Sequence, residues 1–156
     1  MSAGHLETWL GAATDAFAEV ASSTLGMEGA RVEGTRTGYP SDGAGAAVAI
    51  IAEDSMQVGV FGTTASCQAF ARALLGMGPD EEDLPESDMA DALGEIVNIV
   101  AGSMKTRLKL GTAKLGLPLF VKGRIESGCG AKVRVASVHV GDHVAEVFMM
   151  CEASAA

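Results

Sequence analysis

Apolar residues recur along the chain with two different periods, which predict a mixture of helices and strands. Between His5 and Thr24 apolar side chains return every three or four residues, as on one face of an amphipathic helix. A second helix is predicted after Thr63 and Thr64, with its end at Gly76 or Gly78. The longest helix is predicted to run from an N-cap at Ser87 or Asp88 to about Arg107.

The remaining apolar segments have the length and the alternation of β-strands. Turn-forming pairs, Glu53–Asp54 and Gly141–Asp142, join some of these segments into hairpins. The grouping of helices with hairpins favours an α+β fold, in which the helices pack on a largely antiparallel sheet. The predicted strands are 31–37, 46–52, 56–61, 117–125, 132–139 and 143–151.

The chain is expected to form a single domain over residues 1–156, built as a pseudo-duplication of two similar halves. Its 156 residues fit one domain. An acidic, proline-containing linker at 78–88 separates a half at about 5–76 from a half at about 87–151, and each half is a helix followed by strands. DAFAEVASSTLG (15–26) also aligns with DALGEIVNIVAG (91–102), with Asp, Ala, Glu and Gly in common.

Composition excludes several classes of function. Eleven Lys and Arg against twenty Asp and Glu give a net charge of −9, which argues against nucleic-acid binding. No apolar run reaches the roughly 18 residues of a membrane span, and no basic region of a secretory signal precedes the first helix. Cys67, Cys129 and Cys151 form no CxxC pair, which favours reduced thiols and a cytoplasmic location.

One face of the longest helix carries the candidate chemistry. With about 100° of rotation per residue, the face opposite the apolar one carries Asp91, Glu95, Asn98 and Gly102. Asn and Gly both weaken a helix interior, Gly by roughly 1 kcal/mol, so a merely solvated face has no need of them. Close approach by another macromolecule would explain both residues. A plain solvated face, with Asp91 as a first-turn acid, remains the alternative.

The segment from Asp91 to Asn98, followed by Pro118, resembles the [DS]xxxExxN…P signature of the CheC/CheX/FliY phosphatases. The short chain and the single intact motif in the second half are similar to the CheX branch. The resemblance implies a phosphatase that acts on the aspartyl phosphate of a CheY-like receiver domain in chemotaxis or a related two-component pathway. It also implies the α/β layout of that family, a homodimer and no association with membranes.

The resemblance assigns a role to each residue of the motif. Glu95 would pair with the active-site lysine of the receiver, and Asn98 would reach into the acyl-phosphate pocket and orient the attacking water. Beyond what the resemblance implies, we expect Asp91, Gly102 and Lys105 to contact the partner, with Gly102 allowing close approach because it is small. The phosphatase would need no cofactor and no metal of its own, because the receiver supplies Mg²⁺.

The first half carries a degenerate copy of this motif. Asp15 and Glu19 are present, but Ser22 stands where Asn is expected, so this copy is predicted to be inactive. A non-catalytic module that binds a receiver or a flagellar-switch-type partner is the main alternative to a phosphatase. A structural dimeric domain without a receiver partner would follow if Asn98 were buried.

Other candidate sites are weaker. His139 and His143 flank a tight turn and are expected to face each other, but with no third ligand they do not predict a metal site. Ser66 and Cys67 have no evident histidine partner and are not expected to act as nucleophiles. The basic cluster of Lys105, Arg107, Lys109 and Lys114 would suit either an acidic receiver surface or the helix dipole.

Overall fold

The computed structural model describes residues 3–126 and 130–151, so Cys129 lies outside the described residues. The described residues form three helices and seven strands. The helices are α1 (Ala3–Ser23), α2 (Thr64–Leu74) and α3 (Glu86–Arg107). The strands are β1 (Arg31–Thr37), β2 (Gly43–Ile51), β3 (Ser55–Gly62), β4 (Lys114–Leu115), β5 (Leu119–Gly123), β6 (Lys132–Val140) and β7 (His143–Cys151).

The seven strands form one sheet in which every pairing is antiparallel. The strand order is β1-β6-β7-β3-β2-β4, and β5 also pairs with β2. Helices packed on this sheet make the α+β fold that the sequence predicts, so that prediction is confirmed.

The two halves of the chain are interleaved in this sheet. The last strands of the halves, β3 and β7, lie side by side at its centre, and β2 and β6 flank them. The strands at the start of each half pair with the other half, since β1 pairs with β6, and β4 and β5 both pair with β2. The order is therefore the same from either edge when each strand is replaced by its counterpart, as a duplication would produce.

The main core lies between one face of the sheet and the helices. Alternate residues of β2, β3, β6 and β7 point towards α1 and α3, and the apolar stripes of these helices cover them. A smaller cluster is buried on the opposite face of the sheet, where Phe61 and Phe148 meet edge to face. Its other buried members are Ala47, Val133, Val135 and Met150.

Two predicted element boundaries are wrong. The strand predicted over 117–125 is confined to Leu119–Gly123, because Pro118 has no N–H to donate to a ladder. Helix α3 begins at Glu86 with Pro85 at the N-cap position, so neither Ser87 nor Asp88 caps it. Pro85, with φ −53°, already has the φ of the first helical turn, and the helix starts there without a side-chain cap.

The acidic linker is held against α2 just before α3 begins. The Gln68 amide donates to the Leu84 carbonyl at 2.9 Å, and the Leu84 N–H donates to Gln68 Oε1 at 2.8 Å. This pair of hydrogen bonds has the pattern of a β-bridge, and Gln68 is buried. An ion pair of 2.6 Å between Arg72 and Asp83 adds a second link. The linker therefore has a defined path that sets where α3 starts.

Replacement of Gly59 by alanine should destabilise the protein, because β3 and β7 leave no room there. A Cβ at Gly59 would lie 2.2 Å from the Phe148 ring, which is itself buried. We expect the Gly59→Ala variant to lose about 2 kcal/mol of unfolding free energy. Gly34 has nothing within 4 Å, so Gly34→Ala is the control and should change stability by less than about 0.5 kcal/mol. Equal urea midpoints for the two variants would contradict this packing.

Candidate functional site

The exposed face of α3 displays the three polar residues of the motif. Asp91, Glu95 and Asn98 are all exposed, while Leu93, Ile96 and Val97 are buried on the opposite side of the helix. A purely structural domain was expected only if Asn98 were buried. Asn98 is exposed, so that condition is not met.

The motif residues line a common cavity with the proline of the signature. This cavity has a volume of about 360 Å³ and lies between α3 and the segment that leads into β5. Its walls are formed by Ala90, Asp91, Gly94, Glu95, Asn98, Pro118 and Phe120. Residues that are far apart in the sequence, Asn98 and Pro118, thus belong to one surface.

The polar side chains of this cavity have no hydrogen-bonding or charged partners among the residues that the structure describes. In the described ranges, 3–126 and 130–151, the side chains of Asp91, Glu95 and Asn98 make no hydrogen bond and no ion pair. Two carboxylates and one carboxamide are therefore available to another molecule. The nearest charged contact of α3 is at its first turn, where Glu86 pairs with Lys122 at 3.0 Å.

Three residues of the cavity were not anticipated from the sequence. Ala90 and Phe120 carry no signal that distinguishes them from other core or strand residues. Gly94 does carry one, because a glycine within a helix lowers its stability and needs a reason. The structure supplies that reason, since Gly94 is buried against Pro118.

Two other residues predicted to contact the partner lie further along α3. Gly102 and Lys105 are half-buried and are not among the residues that line the cavity. A Cβ at Gly102 would have nothing within 4 Å, so the helix is flat and open there. They extend the motif face beyond Asn98 towards the C-terminal end of α3, as far as Lys105, by about two turns or roughly 10 Å.

The predicted basic cluster is not formed as one group. Arg107 pairs with Glu19 on α1. Lys109 and Lys114 line a different cavity of about 800 Å³, together with His5 and Trp9 near the start of α1. Only Lys105 remains close to the motif face, because the turn after α3 redirects the chain.

The degenerate copy on α1 differs from α3 in more than one respect. Asp15 and Glu19 are exposed, but Glu19 is engaged by Arg107. Ser22 is half-buried, and its hydroxyl donates to the Glu19 carbonyl at 3.4 Å. These contacts favour the interpretation that this copy is inactive.

Ser66 does have a histidine partner, contrary to the sequence-based expectation. Its hydroxyl lies 3.2 Å from His143 Nδ1 and 3.1 Å from the Thr63 hydroxyl, which in turn accepts from the Ser66 N–H and caps α2. The partner was missed because it lies 77 residues further along the chain. Ser66 is buried, so the arrangement fastens the start of α2 to β7.

The two histidines of the β6–β7 hairpin do not face each other. His139 is opposite Val144 and His143 is opposite Val140, so the two rings lie on opposite faces of the sheet. His139 Nε2 lies 3.0 Å from Glu33, whereas His143 contacts Ser66. Among the residues that the structure describes, no group of three His, Cys, Asp or Glu could hold a metal ion.

Structural comparison defines the class of protein. A CheX protein from Desulfovibrio desulfuricans has a TM-score of 0.77 and 19% identity, over 93% of this chain and 99% of that one. CheX from Vibrio vulnificus has a TM-score of 0.76 and 16% identity, over 93% and 99% of the two chains. A CheX–CheY–BeF₃–Mg²⁺ complex from Borrelia burgdorferi has a TM-score of 0.76 and 18% identity, over 92% and 98%.

These likenesses establish the CheC/CheX type of fold. The family described as chemotaxis phosphatase CheX matches residues 45–133, which is more than half of the chain. The protein therefore belongs to the CheX family, as the motif on α3 suggests. No curated protein sequence matches the chain. In the described part of the chain, no helix is long and apolar enough to cross a membrane.

The Cys67 thiol should be unreactive in the folded protein. Burial raises its pKa from 9.0 to about 11, against a smaller lowering by a backbone hydrogen bond at Gly62. At pH 8 we expect alkylation of Cys67 to be roughly 100-fold slower than in unfolded protein, because only the thiolate reacts. The free energy of unfolding should also decrease as pH rises above about 9, because the thiol loses its proton at lower pH in the unfolded protein than in the folded protein.

Mass spectrometry of the peptide that contains Cys67 measures this rate separately from the other cysteines. The same peptide labelled in guanidinium chloride is the control. Equal labelling rates in the two conditions would contradict the burial of the thiol.

Proposed function

We propose that this protein hydrolyses the aspartyl phosphate of a phosphorylated CheY-like receiver, with α3 docked at the phosphorylated site. The observation that carries the proposal is the cavity in which Glu95 and Asn98 are exposed, unpaired and adjacent to Pro118. Membership of the CheX family supports a phosphatase. The Borrelia burgdorferi complex of CheX with CheY supports a receiver as the partner.

The residue types suit this chemistry. An acyl phosphate is already activated, so its hydrolysis requires a positioned water more than a protein nucleophile. The Asn98 carboxamide both donates and accepts hydrogen bonds, so it can hold a water in line with phosphorus. It is also neutral, and therefore meets the phosphoryl oxygens without the repulsion that a carboxylate would cause. In this proposal Mg²⁺ belongs to the receiver.

Charges along α3 would orient the receiver. Asp91 and Glu95 precede Asn98, whereas Lys105 follows it by about two turns. We propose that Glu95 pairs with a lysine of the receiver and that Lys105 faces an acidic group on the same partner. Gly102 lies between them and lets the partner approach the helix closely. Such charge pairs determine orientation and rate of association more than affinity.

A homodimer remains part of the proposal. All seven residues of β1 are exposed, and β1 is at one edge of the sheet. An exposed edge strand can pair with another chain, so a second copy could bind there without covering α3.

Replacement of Asn98 by alanine should abolish the proposed catalysis. With Mg²⁺-loaded, phosphorylated receivers of the source organism, we expect wild type to accelerate phosphate release and Asn98→Ala to reduce this acceleration by roughly 100-fold or more. Ser22→Ala changes the corresponding residue of the degenerate copy and is the matched control, which should retain wild-type activity.

The outcomes of this experiment separate the two functional alternatives. Binding is measured with receiver activated by beryllofluoride, and Asn98→Ala should bind nearly as well as wild type. If wild type binds a receiver but accelerates phosphate loss from none, the non-catalytic interpretation is correct. Full activity in Asn98→Ala would reject the assigned role of the amide.

Replacement of Glu95 by glutamine should weaken docking more than chemistry. The change removes one charge at nearly constant size, so we expect KM to rise about tenfold and kcat to change little. The difference should shrink at 1 M salt, where the Debye length falls to about 3 Å. Asp15→Asn removes the same charge from α1 and should leave both constants unchanged. An unaltered KM for Glu95→Gln would exclude the proposed ion pair.

A further inference from the structure

Gly94 lies where α3 comes nearest to the segment that precedes β5. A Cβ placed on Gly94 would be 3.2 Å from the Pro118 Cβ and 3.8 Å from its Cγ. Contacts of 3.2 Å are tighter than carbon atoms ordinarily make, so one of the two elements would have to move. Gly94 is buried, and the residue after it is Glu95. The glycine therefore lies at the border between the motif face and the buried side of α3, where it lines the cavity.

The segment that contains Pro118 is attached to β2 on both sides of the proline. The Gly116 N–H donates to the Ala49 carbonyl at 2.9 Å, and a Cβ on Gly116 would be 3.3 Å from the Ala49 Cβ. On the other side, Leu119 is in register with Ala47 of β2. Both ends of this short segment are thus attached to β2, one of the inner strands. A side chain at position 94 would displace α3 more easily than it would displace Pro118.

Two other glycines on the helices do not show this constraint. A Cβ on Gly102 of α3 or on Gly11 of α1 would have nothing within 4 Å. Alanine ordinarily stabilises a helix interior relative to glycine. At Gly94 this gain is opposed by the contact with Pro118, and this opposition can be measured.

Gly94 and Pro118 also form walls of the cavity that contains Glu95 and Asn98. The approach of α3 to Pro118 therefore determines both the shape of the cavity and the position of these two side chains. We infer that Gly94 is a positioning residue: its missing side chain lets α3 seat against Pro118, and this seating places Asn98 for in-line attack by water. The inference rests on the proposed phosphatase function.

The test compares five proteins: wild type, the single variants Gly94→Ala, Pro118→Gly and Gly11→Ala, and the double variant Gly94→Ala/Pro118→Gly. A shift of a few tenths of an ångström should reduce kcat of Gly94→Ala about tenfold, given that a misplacement of 1 Å can cost about 100-fold. KM should change by less than about twofold, because Glu95 still reaches a receiver lysine. Gly11→Ala, an open helical position, should retain wild-type kcat and KM.

The double variant tests the mechanism directly. Pro118→Gly removes both atoms that the new Cβ would meet, so the double variant should recover most of the lost kcat relative to Pro118→Gly alone. A loss of stability alone would instead lower the amount of active protein without this recovery. Circular dichroism and the melting temperature establish that each variant is folded at the assay temperature.

The outcomes distinguish this inference from the function on which it rests. A wild-type protein that accelerates no receiver overturns the proposed function and the positioning role with it. An active wild type with Gly94→Ala indistinguishable from Gly11→Ala overturns the positioning role only. A reduced kcat that the Pro118→Gly change does not restore also overturns it.

Discussion

The antiparallel pairing of β3 with β7 is the interaction on which the rest of the structure depends. It joins the last strand of the first half to the last strand of the second, from Met56 opposite Cys151 to Phe61 opposite Glu146. The pairing makes one sheet from strands of both halves, and only a sheet of this width offers α1 and α3 a shared apolar surface. Gly59 permits the Phe148 ring to lie across this seam, which fills the opposite face.

The candidate site uses this rigid frame without belonging to its core. α3 is fixed by the sheet beneath it, by its contacts with α1 and α2, and by Pro118 next to Gly94. Its remaining side carries Asp91, Glu95 and Asn98, whose side chains form no hydrogen bond or ion pair with any described residue. Glu19 on α1 shows the opposite situation, because Arg107 from α3 already neutralises it. The motif residues of α3 are thus free of ion pairs among the described residues, whereas Glu19 of the corresponding copy on α1 takes part in one.

Local patterns predict most of the elements of this protein because each buries one face. The period of apolar residues places α1, α3 and the β6–β7 hairpin within a few residues, and the motif face of α3 follows from helix geometry alone. Contacts between distant segments are not encoded in that way. The approach of Pro118 to Gly94, the Ser66–His143 hydrogen bond and the capture of Glu19 by Arg107 all depend on how the halves interleave. The opposite orientation of His139 and His143 follows from register, which a turn sequence alone does not specify.

The exchange of first strands between the halves has a consequence for how the chain folds. β1 is made early in synthesis but pairs with β6, which is made much later. Arg31 is opposite His139, although most of the chain lies between them in sequence. Closing so long a loop costs entropy before any contact offsets it, and folds rich in such pairings form in milliseconds to seconds. Until β6 has been synthesised, β1 has no strand to pair with. Its charged residues Arg31, Glu33 and Arg36 then keep an open edge in solution and protect the growing chain from aggregation.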